Sequence, residues 1–284
     1  MSAAQPVLRF ATLALQVSQA ALPPFAHRFA PKRFRLPQLA ACVLLKEYLR
    51  CDWRGIETFL ELCPALRRCL GLRRVPDFST LHKFSARWLS PPCLQRLLDA
   101  LLSRLGIENA EVAMDSTGLN PDRTSSYYAS RRRLRPARKR YVKVSLAVVV
   151  GALVASGLVV DWGPCNDKTE LPSLLEQTQQ RLPTWRWLYA DAGYDAEWVH
   201  VRCREQLGVT SWIPPAVHRA DGSVGGRWRS RMARGLPRRY GRRWAAESFI
   251  SGMKRKLGAD LSGRGKAAQL RQAALKVIAY SIHR

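Results

Sequence analysis

Apolar residues recur at helical spacing through the first third of the chain. Between residues 8 and 105 they return every three or four positions, which is the spacing that buries one face of a helix. The periodic segments are Leu39–Leu49, Ile56–Cys63, Leu66–Leu72, Leu81–Leu89 and Leu94–Leu105. Pro64 suits the first turn of a helix, Ser79-Thr80 offers an N-cap, and Pro91-Pro92 interrupts the chain. The pattern predicts an all-α N-terminal domain over residues 1–108.

From residue 109 onward, short apolar runs alternate with helical segments. The runs typical of strands are Glu111–Asp115, Tyr141–Val150, Ala152–Val160, Trp185–Ala190 and Val209–Ile213. The helical segments are Glu170–Leu182, Ala196–Leu207 with Asp195 as its N-cap, and Arg242–Leu257. The order β-ββ-α-β-α-β-α predicts an α/β domain over residues 109–284, with antiparallel and parallel pairs in one sheet.

The stretch Val144–Val160 is uncharged over 17 residues and raises the question of a membrane span. A membrane helix usually needs about 20 apolar residues. This stretch is shorter, is rich in valine and is interrupted by Gly151 and Gly157, so we expect two buried strands with a turn near Gly151. The N-terminal apolar segment has no basic region before it, which argues against a signal peptide. Seven cysteines without a CxxC pair suggest reduced thiols in a cytoplasmic protein.

Charge narrows the class of partner. The chain has 47 Lys and Arg against 21 Asp and Glu, which gives a net charge of +26. Such an excess favours a polyanion as the usual partner, with nucleic acid first and an anionic membrane surface as the alternative. Two basic runs stand out: residues 131–143 and residues 227–243 each hold eight Lys or Arg. Contact with phosphate groups explains them better than ordinary surface charge does.

Acidic residues stand out against this basic background at the ends of two predicted strands. Asp115 precedes Ser116-Thr117-Gly118, and Asp191 precedes Ala192-Gly193-Tyr194. If the two strands are neighbours, the carboxylates converge, and they repel each other unless a cation lies between them. Hard oxygen ligands of this kind favour Mg²⁺ or Mn²⁺. Each aspartate alone is weak evidence, because aspartates after strands are common turn residues.

A third carboxylate lies in the predicted helix near the C-terminus. Tyr240, Arg243, Glu247 and Lys254 stand at offsets of 0, 3, 7 and 14. At roughly 100° per residue they share a stripe about 60° wide. A separate apolar stripe contains Ala246, Phe249, Ile250, Met253 and Leu257. The alternative is a solvated amphipathic helix in which a Glu–Arg pair is ordinary.

The segment Trp53–Trp88 contains a possible helix-turn-helix. Its connector carries Arg73 and Arg74, and the following helix carries Lys83. A plain helical bundle explains the same pattern equally well.

Together these features resemble the DDE transposases of insertion sequences, in the group whose catalytic glutamate lies in a Y-x₂-R-x₃-E-x₆-K signature. The signature matches in full at Tyr240, Arg243, Glu247 and Lys254. The segments AMDSTGL and YADAGYD resemble those that carry the first and second aspartates of the family. The likeness extends over nearly the whole chain, including GLRRVPDFSTLHKF in the helical region.

The resemblance implies a ribonuclease-H-like catalytic domain in which Asp115, Asp191 and Glu247 hold two Mg²⁺ ions, with Mn²⁺ able to substitute. It implies cleavage and strand transfer at the ends of an insertion sequence in a bacterial, nucleoid-associated protein. The partners would be double-stranded DNA of the inverted repeats and the target, bound by a homodimer or larger assembly, with no membrane. The candidate DNA contacts are Tyr240, Arg243, Lys254, Arg73, Arg74, Lys83, Arg138, Lys139, Arg140 and Lys143. Two alternatives remain: a nuclease of the same fold without strand transfer, and a non-catalytic basic DNA-binding protein.

Overall fold

A computed structural model of the protein describes residues 5–121, 141–216 and 223–284. Contacts within the chain divide it into two units, the first formed by residues 1–105 together with 253–284 and the second by residues 106–252. The division after residue 105 falls close to the predicted boundary at 108. The C-terminal residues differ from the expectation, because they group with the helical unit and not with the α/β unit.

The first unit is helical, as the apolar periodicity predicts. Its complete helices are α1 (Gln5–Ala21), α2 (Leu36–Leu49), α3 (Trp53–Leu62), α4 (Pro64–Cys69), α5 (Phe78–Trp88), α6 (Pro91–Leu105) and the C-terminal helix (Lys266–His283). Helix α2 is buried on nearly all sides and packs against α1, α5 and the C-terminal helix. Helix α5 begins earlier than predicted, because the carboxylate of Asp77 caps it by accepting from the amide of Ser79 at 2.7 Å.

The second unit is built on a five-stranded sheet. Its strands are β1 (Glu111–Leu119), β2 (Tyr141–Val149), β3 (Val154–Gly163), β4 (Trp187–Tyr189) and β5 (Thr210–Trp212), in the order β3-β2-β1-β4-β5. The β3-β2 and β2-β1 pairs are antiparallel, and the β1-β4 and β4-β5 pairs are parallel. This mixed sheet confirms the predicted α/β class and the ribonuclease-H-like fold. The uncharged stretch forms most of β2 and most of β3. Among the described residues, no helix is long and apolar enough to cross a membrane.

The second unit also contains helices and short turns. Its helices are α7 (Asp167–Arg181), α8 (Glu197–Val201), α9 (Arg227–Ala233) and the first part of α10 (Trp244–Leu257), whose residues from 253 onward belong to the first unit. It has 3₁₀ segments at Ala192–Tyr194 and Arg238–Arg243 and a π-helical segment at Arg202–Gln206. Helix α7 packs against β2 and β3, and the second 3₁₀ segment packs against β1 and β4. The helical pattern of the sequence did not reveal α9. The C-terminal helix is α11 (Lys266–His283) in this numbering.

Asp195 is not the N-cap that the sequence predicts. Ala196 occupies that position without a side-chain cap. The buried carboxylate of Asp195 instead pairs with the guanidinium of Arg229 on α9, with Nη2 at 2.6 Å and Nε at 2.9 Å from Oδ2. Asp195 also accepts from the amide of Ala216 at 2.8 Å. A buried charge needs such a partner, and this long-range pairing outweighs the local capping preference.

The C-terminal end of α10 is held by a buried lysine of α11. The Nζ atom of Lys276 donates to the carbonyl oxygens of Leu257 at 2.7 Å, Gly258 at 2.8 Å and Asp260 at 2.9 Å. The last carbonyl groups of a helix have no partner within the helix, so a cation at this end is favourable. Burial lowers the pKa of Lys276 to about 8.

Candidate active site

The two candidate aspartates lie at equal distances beyond the last paired residues of β1 and β4. The parallel register ends at Ala113 opposite Tyr189, and Asp115 and Asp191 each follow two residues later. Because β1 and β4 run in the same direction, both aspartates lie at the same end of the β1–β4 pair. The sequence predicts that Asp115 ends its strand, but β1 continues to Leu119 because it pairs with β2.

Each aspartate is held locally by a backbone amide. The Oδ1 atom of Asp115 accepts from the amide of Ser116 at 2.8 Å. The Oδ1 atom of Asp191 accepts from the amide of Gly193 at 3.0 Å and so caps the first 3₁₀ segment. Hydrogen bonds of this kind limit where each carboxylate can point.

The second 3₁₀ segment presents two pairs of side chains on adjacent faces. A 3₁₀ helix has three residues per turn, so residues three apart share a face. Arg239 and Arg242 form one pair and both make ion pairs with Glu111 at the start of β1, with Arg239 Nη2 at 3.6 Å. Tyr240 and Arg243 form the other pair, and the hydroxyl of Tyr240 donates to the carbonyl oxygen of Ala190 at 3.1 Å. The signature spacing therefore aligns Tyr240 and Arg243 through a 3₁₀ turn and not through the α-helix that the sequence predicts.

Glu247 lies in the first turn of α10, which begins at Trp244 and not at Arg242. Its carboxylate is half exposed and makes an ion pair with the guanidinium of Arg243. Lys254 lies two turns further along the same helix. The predicted apolar stripe is buried at every position: Ala246, Phe249, Ile250, Met253 and Leu257.

Electrostatics link the three carboxylates. Burial is the largest cause of a pKa of about 6 for Asp115, and the negative charges of Asp191 and Glu247 act in the same direction. The hydrogen bond from the amide of Ser116 and the charge of Arg243 act against them. Burial also raises the pKa of Tyr240, to which the charges of Asp191 and Glu247 contribute. The structure therefore brings Asp115, Asp191 and Glu247 within electrostatic reach of one another, with Tyr240 and Arg243 among them.

The raised pKa of Asp115 has a consequence for stability. Its carboxyl group binds a proton more tightly in the folded chain than in the unfolded chain, where an aspartate carboxyl group has its ordinary pKa of 3.8. This contribution is fully present below that value and is lost as the pH rises through about 6. In the absence of metal, we expect the free energy of unfolding of the wild-type protein, relative to that of Asp115→Asn, to fall between pH 4 and pH 7. The expected fall is on the order of 1–2 kcal/mol after allowance for solvent screening. Melting curves of both variants across this range test it, and a difference that does not change with pH would contradict it.

The donor set suits a divalent cation. Carboxylate oxygens are the ligands that Mg²⁺ and Mn²⁺ prefer. A cation would offset the burial that chiefly raises the pKa of Asp115 and the smaller repulsion from Asp191 and Glu247. Within the described ranges, no three His, Cys, Asp or Glu side chains are close enough together to hold a metal ion. Glu247 is turned toward Arg243, so joint binding by all three carboxylates requires Glu247 to leave that partner.

The predicted DNA contacts differ in their surroundings. Arg73, Arg74 and Lys83 are exposed in the helical unit. Lys143 is only 2% exposed, and it lies 2.8 Å from Asp167 and 3.2 Å from Glu170, which argues against the predicted phosphate contact. Arg138, Lys139 and Arg140 lie outside the described residues. Helices α3 and α5 pack together, which is compatible with both a helix-turn-helix and a bundle.

Sequence reasoning missed two acidic residues that hold segments carrying candidate site residues. Glu111 anchors the second 3₁₀ segment and accepts from the hydroxyl of Tyr189 at 2.7 Å. Asp167 accepts from the hydroxyl of Ser116, the neighbour of Asp115, at 2.7 Å. The position of Asp167 in the sequence could have indicated it, since Asn166-Asp167 follows the end of β3 much as Asp191 follows the end of β4.

Comparison with known proteins identifies the family of this chain. Residues 109–282 match the family model described as "Transposase DDE domain", and the match covers well over half of the chain. A search of curated proteins gave no match. The matched region begins at the residue where the strand pattern begins and includes Asp115, Asp191 and Glu247. The chain therefore belongs to the transposase DDE domain family, whose chemistry is DNA cleavage and transfer.

Proposed function

We propose that the protein is the transposase of an insertion sequence and that it cleaves and rejoins DNA with Asp115, Asp191 and Glu247 in the presence of Mg²⁺ or Mn²⁺. The observation that carries the proposal is the parallel register of β1 and β4, with Asp115 and Asp191 at the same end of that strand pair. Glu247 on α10 is near enough for its charge to contribute to the raised pKa of Asp115. This acidic group lies in a chain of net charge +26, a combination suited to an enzyme that acts on a polyanion.

The residues divide the work of an in-line displacement at phosphorus. Asp115, Asp191 and Glu247 would hold the cations, which supply Lewis acidity for the attacking and leaving oxygens when bound. Glu247 would join the other two carboxylates after releasing Arg243. The freed guanidinium of Arg243 would then bind a DNA phosphate, for which its planar donor geometry is well suited. Tyr240 would keep the second 3₁₀ segment against the β4 end through its hydrogen bond to Ala190.

An arginine-lined cavity of about 810 Å³ provides a surface for the DNA backbone. Its wall contains Trp212 and three exposed arginines, Arg227, Arg231 and Arg234, and includes no acidic side chain among the described residues. Because each phosphate contact releases a counterion, these arginines would add to the salt dependence of binding. Lys254, Arg73, Arg74 and Lys83 remain candidates for further phosphate contacts.

Replacing Arg227, Arg231 and Arg234 together by glutamine is expected to weaken binding to duplex DNA. The slope of log K against log salt concentration should become shallower by roughly 2–3, since each phosphate contributes about 0.9. Fluorescence anisotropy with a labelled duplex from 50 to 300 mM salt, about the range over which such slopes are measured, provides the measurement. The matched control replaces three exposed arginines of the helical unit, Arg9, Arg28 and Arg104, by glutamine. Equal slopes in the two triple variants would remove the cavity from the DNA surface.

The proposed function is tested with purified full-length protein and DNA that flanks its own coding sequence. Metal-dependent cleavage of that DNA, followed by joining of the cut ends to a plasmid, is the expected result. Cleavage without joining would favour the nuclease alternative. Binding without metal-dependent cleavage would favour the non-catalytic alternative and overturn the proposal.

A further inference from the structure

Asp167, the first residue of α7, contacts the segments that carry both catalytic aspartates. Its Oδ1 atom accepts from the hydroxyl of Ser116, directly after Asp115, at 2.7 Å. Its Oδ2 atom lies close to Gly193, two residues after Asp191. A Cβ atom on Gly193 would stand 3.1 Å from that oxygen and 3.0 Å from Oδ1 of Asp191. Asp167 therefore lies against the chain beside Asp115 and beside Asp191 at the same time.

A buried lysine fixes Asp167 in this position. The Nζ atom of Lys143 on β2 lies 2.8 Å from Asp167 and 3.2 Å from Glu170, and it donates to the carbonyl oxygen of Cys165 at 3.0 Å. An ammonium group has three donors, so these three acceptors satisfy it. Glu170 is only 7% exposed and also accepts from the hydroxyl of Ser145. A network satisfied in this way is rigid and holds its members in one arrangement.

Tyr194 provides an independent observation at the same place. Its side chain is fully buried, and its hydroxyl has no hydrogen-bond partner among the described residues. Burial raises the pKa of Tyr194, and the charges of Asp167, Asp115 and Asp191 raise it further, so the ring lies among these carboxylates. A buried donor without an acceptor is costly and marks a place where a bound group or a water molecule is expected.

We propose that Asp167 is a positioning residue for DNA cleavage. Lys143 anchors Asp167, and Asp167 sets the spacing of Asp115 and Asp191 through its contacts with Ser116 and Gly193. Asp167 acts through the backbone and the Ser116 hydroxyl and does not itself contact the DNA or the reacting atoms. This inference rests on the proposed function. The alternative is that Asp167 only stabilises the first turn of α7, where an acidic side chain is favourable in any helix.

Asp167→Asn in the full-length protein separates these roles, because it removes the charge and keeps the shape. If Asp167 positions the aspartates, kcat for metal-dependent cleavage falls about 10–100-fold, as expected for a residue that orients metal ligands. KM for DNA stays within about twofold of the wild-type value, because the DNA-binding arginines are untouched. The upward shift in melting temperature on adding Mn²⁺ without DNA requires a higher metal concentration than in the wild type. Glu176→Gln, which removes an exposed carboxylate from the same helix, is the matched control and leaves all three readouts unchanged.

A double variant tests the route through Ser116. If Asp167 acts through that hydroxyl, Ser116→Ala lowers kcat less than Asp167→Asn does, and the double variant is no slower than Asp167→Asn alone. Additive losses would show that Ser116 is not the link.

The outcomes separate this inference from the proposed function. A wild-type protein that shows no metal-dependent cleavage refutes the proposed function. The positioning role is refuted if the wild-type protein cleaves DNA and Asp167→Asn behaves like Glu176→Gln. The two quantities compared are kcat and the Mn²⁺ concentration needed to raise the melting temperature. A loss of melting temperature without a change in kcat or metal response would assign Asp167 to helix stability alone and also refute it.

Discussion

Asp115→Asn is expected to reduce metal-dependent DNA cleavage by on the order of 10³-fold or more while leaving DNA binding nearly unchanged. The substitution keeps the shape of the side chain but removes one of three carboxylates proposed to hold the cations. Metal ions at such sites lower the activation barrier by several kcal/mol, and each 1.36 kcal/mol corresponds to about tenfold in rate. Single-turnover cleavage of flanking DNA, with anisotropy measurements of binding, tests both parts.

The matched control for this experiment is Asp161→Asn, which changes an exposed aspartate on β3 of the same sheet. We expect cleavage by this variant to remain within about twofold of wild type, as is usual for surface substitutions. A comparable loss of cleavage in both variants, or full activity in Asp115→Asn, would contradict the assignment of Asp115. Melting curves of the metal-free proteins show whether a loss reflects unfolding.

Asp195→Ala is expected to lower the free energy of unfolding by about 3–5 kcal/mol, which is the usual result of breaking a buried ion pair. The Asp195 side chain is 0% exposed, and its removal leaves the guanidinium of Arg229 without its carboxylate. The amide of Ala216 loses its acceptor at the same time. Urea denaturation followed by tryptophan fluorescence measures the change.

Two further variants make the Asp195 prediction specific. Arg227→Gln lies on the same helix as Arg229 but is exposed, and we expect it to change stability by no more than about 0.5 kcal/mol. In Asp195→Ala with Arg229→Met, no charge is left unpaired, so the double variant should be more stable than Asp195→Ala alone. If Asp195→Ala lowered the free energy of unfolding by less than about 1 kcal/mol, the Asp195–Arg229 pair would be solvated and would contribute little to stability.

The succession of strands and helices along the chain was largely predictable from the sequence, because apolar runs and helical periods report local burial. Val144–Val160 shows this, since its valines and central glycines pointed to two strands that the structure confirms. The start of α5 and the position of Asp115 within β1 were wrong, because a neighbouring cap and a longer partner strand decide where an element ends. The role of Asp195 was wrong because its partner Arg229 lies 34 residues away in the chain.

The candidate site was only partly readable in the same way. The signature spacing predicted that Tyr240 and Arg243 share a face, and they do so through a 3₁₀ turn because a spacing of three fits that helix. Lys143 was read as a phosphate contact because it belongs to a basic run, but composition cannot reveal which member of a run points inward. Asp167 was missed because its importance depends on a contact with Ser116, which lies 51 residues away in the sequence. Local patterns do not show that the end of β3 brings Asp167 next to β1.

The cap that Lys276 forms has a consequence for shortened versions of the chain. A premature stop codon anywhere between Gly258 and Lys276 would leave Glu247 encoded. It would still remove the ammonium group that binds the last carbonyl oxygen of the Glu247 helix and two carbonyl oxygens just beyond it. The last turn of that helix, which contains Lys254, would then unwind. A truncated gene copy that keeps all three acidic codons is therefore expected to encode an impaired enzyme.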